Sequence, residues 1–142
     1  HQAADLTGRA IGAWTTVTFD SESFDTDGLH DTVTNTSRIT TTLSGKYLVS
    51  AQAFFNVAGV TTPTLAGLRF IIDGGTTTVY GNSNIATVVD VVVSATCILP
   101  AITAGSYIEV QSIVLGTLGT YILEGTTDFP QILSFQAVYI GE

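Results

Sequence analysis

Trp14-Thr15-Thr16-Val17-Thr18-Phe19 sets large apolar side chains against threonine, and Lys46-Tyr47-Leu48-Val49-Ser50-Ala51-Gln52-Ala53-Phe54-Phe55 continues the theme behind a turn at Ser44-Gly45. The first segment has the period-2 alternation of a half-buried strand. The second is long, with aliphatic and aromatic residues along its length, and reads as a long strand. Between them lie an acidic, glycine-containing loop and the short run Ser37-Arg38-Ile39-Thr40-Thr41-Thr42-Leu43.

Working outward, the rest of the chain reads the same way. Strands are predicted over roughly 12–19, 37–43, 46–57, 66–73, 76–80, 87–99, 106–115 and 131–140. Asp73-Gly74-Gly75 is a tight hairpin signal. Pro100 closes a strand, Ala104-Gly105 opens the next, and Asp128-Phe129-Pro130 launches the last. Nothing reads as helix. Regular turns between antiparallel-looking segments imply an all-β sandwich or jelly roll. Residues 1–10 are expected as a flexible lead-in and residues 11–142 as one domain.

Composition narrows the options. Of 142 residues, 45% are hydrophobic and only 11% charged, with mean hydropathy +0.42. That charged share is less than half the usual value of roughly a quarter. The strands at 87–99 and 131–140 carry apolar residues on both faces, so one sheet needs a second cover, which other copies of the chain can supply. Burying about 1,000 Å² more apolar surface per chain is worth about 25 kcal/mol before association costs. No apolar run approaches the roughly 20 residues of a membrane-spanning helix. Four cations against twelve acids, a net charge of −8, argue against nucleic acid. Cys97 stands alone in a valine-rich segment, as a buried, inert thiol would.

Order and spacing together carry a family resemblance. Val17-x-Phe19, Phe24-Asp25, Gly28-x-His30-Asp31, Arg38-Ile39 and Gly45-Lys46-Tyr47 resemble the first half of the globular C1q domain of the C1q/TNF superfamily. Leu99, the segment Gly105 to Gln111, and Ser134-Phe135-Gln136-Ala137-Val138-Tyr139 resemble its second half. The similarity spans residues 12 to 141. It implies a jelly-roll β-sandwich of two antiparallel sheets, assembled as a homotrimer with one sheet of each subunit facing the axis. Val89, Val91, Val93, Phe135, Tyr139 and Tyr47 are the expected interface. Ser106 replaces the family's usual acid, a cysteine common before the long strand in animal members is absent, and the Thr/Gly/Pro-rich loop 57–66 is unfamiliar. These departures fit bacterial and bacteriophage modules of the family better.

Three groups of residues could carry chemistry. Asp20, Glu22, Asp25, Asp27 and Asp31 crowd one loop and are the candidates for calcium, which takes six to eight oxygen ligands. The Asp-x-Asp-Gly spacing imitates an EF-hand start, but Thr34 stands where the bidentate glutamate belongs. The plain alternative is a turn whose carboxylates bond their own backbone. His30 lacks the partners of a catalytic base, and no nucleophile elbow, zinc motif or phosphate loop occurs. Asn35-Thr36-Ser37 matches a glycosylation acceptor, an expected coincidence in so Thr/Ser-rich a chain. Tyr80, Tyr121 and Phe129 are placed near loops, where a glycan or protein could stack on them.

The expectation is a non-enzymatic trimeric module on a virion surface or outside cells. It is read as the head of a bacteriophage fibre or a capsid decoration, presenting loops 20–36, 57–66, 81–86 and 116–128. A capsid, tail or stalk protein would attach through the N-terminal end, and a cell-surface glycan or protein would be the target. A secreted or spore-surface head capping a stalk is the alternative, and a glycan-acting enzyme a distant third. No cofactor is expected beyond calcium.

Overall fold

The computed structural model describes the chain except Phe24, Thr26 and residues 76–79, 85–89 and 126–132, with the side chains of residues 80–84 also left aside. Its elements are β1 (Leu6–Ala10), β2 (Thr15–Thr16), β3 (Arg38–Thr40), β4 (Gly45–Asn56), β5 (Val60–Thr61), β6 (Leu65–Ile72), β7 (Tyr80–Asn84), β8 (Asp90–Ile102), β9 (Tyr107–Leu115), β10 (Leu118–Leu123) and β11 (Ser134–Gly141). Two antiparallel sheets face each other. The larger is built on β4, the smaller on β9 with β2, β3, β6 and β7.

The long strand β4 organises the larger sheet. β8 pairs along one edge, from Tyr47 opposite Leu99 to Asn56 opposite Asp90. On the other edge β11 pairs with residues 46–52, and β10 takes Phe55 and Asn56. β10 and β11 therefore lie end to end, and β1 lies outside β10. In the smaller sheet β6 and β9 pair from Leu65–Leu115 to Ile72–Ile108. The turn between β6 and β7 has positive φ at both Asp73 and Gly74, the backbone of the predicted hairpin.

The core is the space between the sheets. Tyr47, Val49, Ala51, Ala53 and Phe55 of β4, Leu68 and Phe70 of β6, and Val110 and Val114 of β9 are all buried there. Aromatic rings fill it: within the larger sheet Phe55 stacks on Tyr121 at 5.8 Å between centroids, and Phe135 sits 5.7 Å from Phe19 and, across the two sheets, 6.0 Å from Phe70. Each such side chain contributes about 1.5–3 kcal/mol of burial. Gly119 permits one close backbone approach, since a Cβ there would lie 1.9 Å from Gly59 O and its φ is +115°.

Several expectations need correction. Residues 1–10 are not a loose lead-in. Gln2 is buried, its N–H donates to Leu133 O at 3.1 Å, and Leu6–Ala10 is a paired strand. The strand predicted over 12–19 shrinks to Thr15–Thr16, although Val17 N–H still donates to Val110 O at 2.9 Å and Phe19 N–H to Thr36 O at 2.8 Å. Residues 81–84 and 118–123, expected in loops, belong to β7 and β10.

Candidate interaction surfaces

The register decides which face of each strand is inside. Tyr47 and Val93, expected at a subunit interface, are 1% and 2% exposed and point into the chain's own core. Val91, Phe135 and Tyr139 pack against that core from the same side. Val89 lies outside the described residues. The opposite parity is the one that faces out. Leu48, Ile98, Val138 and Ile140 are 39–56% exposed, and Val92 is 44% exposed.

Cross-strand pairing gathers these residues into a pattern. Leu48 lies opposite Ile98 on one side and Val138 on the other, forming an apolar row across three strands. Next come two polar rows, Thr96–Ser50–Gln136 and Ser94–Gln52–Ser134. Beyond them, Phe54 opposite Val92 restores apolar character. The outer face is thus apolar at both ends with a polar band between. Sequence showed that both faces of this sheet are greasy, but it nominated the wrong parity for the outside.

Tyr121 also needs correction. It is 0% exposed, inside the sandwich and not at a ligand surface. Its hydroxyl hydrogen-bonds Ser112 Oγ at 2.9 Å, and Arg9 reaches both groups while donating to the carbonyls of Thr15 and Thr16. The expected loop position put Tyr121 outside because β10 itself was missed. Tyr80 begins β7, and Phe129 lies outside the described residues.

In the acidic loop Asp25 and Asp31 serve local turns, while Asp20 holds the N-terminal segment. Asp20 accepts the Ala3 N–H at 2.8 Å, and Asp25 accepts His30 N–H at 2.9 Å and Asp27 N–H at 3.2 Å. Asp31 accepts Val33 N–H, Thr34 N–H and the Thr34 hydroxyl. The Thr34 hydroxyl, with these N–H groups, holds Asp31 down to about 2. Burial pushes Asp25 up, but the N–H bonds from His30, Leu29, Asp27 and Gly28 outweigh it and leave it lowered. His30 is held by Glu22 Oε1 at 2.8 Å and Thr36 O at 3.2 Å, so its ring braces the loop. Among the described residues no three metal-ligating side chains converge. Melting with and without EDTA tests the calcium candidates: an unchanged midpoint would remove structural calcium, and a fall with chelator would support it.

The cations are occupied as well. Arg69 sits 4.5 Å over Trp14 and bonds Gln111, Arg38 lies 4.7 Å over Tyr107, and Lys46 bonds the Glu142 carbonyl. They are separate props, with no stripe for phosphates. Burial pushes the Cys97 thiol up, away from reactivity. Among the described residues no helix is long and apolar enough to cross a membrane.

A cleft of about 670 Å³ opens beside β11. Ser134 to Val138 line it together with His1, Phe19, Glu22, Asp25, His30 and Ile39.

No protein-family profile and no curated protein sequence matches the chain. Solved structures do. Murine APRIL aligns over 87% of this chain and 99% of its own with TM-score 0.52 and 12% identity. Eiger TNF from S. frugiperda aligns over 99% of this chain and 95% of its own, again with TM-score 0.52, at 14% identity. The fold is the TNF-type jelly roll. At such identity the TNF-type likeness is one of backbone path, and the function has to be argued from the surfaces described above.

Proposed function

We propose that the chain is a non-enzymatic, self-assembling TNF-type module whose larger sheets close around a three-fold axis. The observation that supports this reading is the outer face of β8, β4 and β11, where Ile98, Leu48, Val138 and Ile140 stand exposed on a chain with few charges. Apolar patches of this kind on a folded surface mark association sites. The trimeric resemblance and the TNF-type fold supply the stoichiometry.

Within that reading, the module is the exposed head of a bacteriophage fibre or a capsid decoration, on a virion surface or otherwise extracellular. Its loops repeat three times, so weak contacts to a repetitive glycan or protein target gain avidity. A capsid, tail or stalk protein would join at the N-terminal end. Sedimentation at micromolar protein tests the assembly: three times the 14.9 kDa chain mass is expected. A stable, soluble single chain would refute it.

A further inference from the structure

Among the described residues β11 is an edge strand of the larger sheet. It pairs with β4 over Ser134 to Gly141, and no other described strand pairs with it. β1 covers the neighbouring β10 but stops short: Gln2 N–H reaches Leu133 O, the residue before β11 begins. Alternate N–H and C=O groups of β11 are thereby left facing the cleft. The sequence Ser134-Phe135-Gln136-Ala137-Val138-Tyr139-Ile140 has no charge and no proline, the devices that usually blunt an edge.

The cleft is shaped for a strand. Five residues, Ser134 to Val138, run along it, about 17 Å at ~3.4 Å per residue. Its apolar lining of Phe19, Ile39 and Phe135 would receive every second side chain of an added strand. Its lining carries Glu22 and Asp25, with His30 on Glu22 and the His1 amino group beside them, and no lysine or arginine, on a chain of net charge −8.

We infer that the open edge of β11 is a strand-addition site for an extended, cationic peptide segment of a partner protein. The segment runs antiparallel to β11, in the direction β1 takes beside β10. Main-chain hydrogen bonds supply affinity, while alternate pockets and the acidic lining supply selectivity. The site lies on the rim of the sheet, where Ser134, Gln136 and Val138 also belong to the outer face proposed above, and the peptide test reads it separately from assembly.

Blocked seven-residue peptides test it. Thr-Val-Lys-Val-Lys-Val-Thr is expected to bind saturably by calorimetry at low salt, about tenfold tighter than the same peptide with glutamate for lysine. The lysine peptide N-methylated throughout cannot form a ladder and is expected not to bind. Hydrogen exchange of the peptide-bound protein is expected to slow at alternate amides of residues 134–140. Absence of saturation, equal binding of the lysine and glutamate peptides, or undiminished binding of the methylated peptide would each overturn the proposal. So would protection of those amides in the free protein, including protection that grows with protein concentration, since that would show a second copy in the slot.

Discussion

Replacing Ile98 and Val138 together by aspartate is expected to turn the proposed trimer into single chains. Both side chains flank Leu48 on the outer face and are about half exposed in the subunit, so neither supports the core. On assembly each aspartate would be buried without a partner, at about 3 kcal/mol or more apiece. Association should weaken by at least about a thousandfold, while the far-ultraviolet circular dichroism stays that of a β-protein. Val33→Asp is the control, because Val33 is 84% exposed in the acidic loop and the assembly should tolerate it. A double variant that still sediments as three chains would remove this face from the interface. Val91 or Phe135 changed to aspartate should behave differently: these residues pack on the core, so the subunit itself should unfold.

The second large effect concerns Tyr121. Changing it to alanine is expected to cost about 4 kcal/mol, the usual price of deleting a buried aromatic. The loss has three parts. The stack on Phe55 disappears, the Ser112 hydroxyl loses a partner, and the Arg9 guanidinium, 5.8 Å from the ring centre, loses the surface it packs on. At this chain length the melting midpoint should fall by about 10 °C or more. Tyr121→Phe keeps the ring and should cost only about 1 kcal/mol, the worth of one hydrogen bond. If Tyr121→Ala melted like the parent but lost a ligand, the residue would be a surface contact after all.

The contrast between these two predictions shows where the sequence was readable. β4, β6, β8, β9 and β11 were legible because their β-branched and aromatic runs are long, although β8 continues past Pro100, which was expected to close it, to Ile102 across a register shift. The hairpin at Asp73-Gly74 was legible because only a few residues accept its backbone. β1 and β10 were not. Leu6-Thr7-Gly8-Arg9-Ala10 and Leu118-Gly119-Thr120-Tyr121-Ile122-Leu123 contain glycine and little alternation, and each is a strand because the other lies beside it. Nor was inside distinguishable from outside. Val91 and Val92, or Tyr47 and Leu48, are equally apolar, and only pairing with the opposite sheet separates them. The acidic loop was legible as a cluster, but whether its carboxylates converge depends on which N–H groups each one finds first.

The polar band across the middle of the outer face has a consequence for geometry. Two oily surfaces can slide over each other at little cost, because dispersion and water exclusion have no preferred angle. Ser50, Gln52, Ser94, Thr96, Ser134 and Gln136 cannot be so tolerant, since each donor or acceptor enclosed without a mate forfeits about 1–3 kcal/mol. Sister sheets meeting over this band therefore have few rotational settings in which every hydroxyl and amide is matched, directly or through a trapped water. In the proposed assembly the greasy ends would hold the particle together, and the hydrophilic waist would lock its angular alignment.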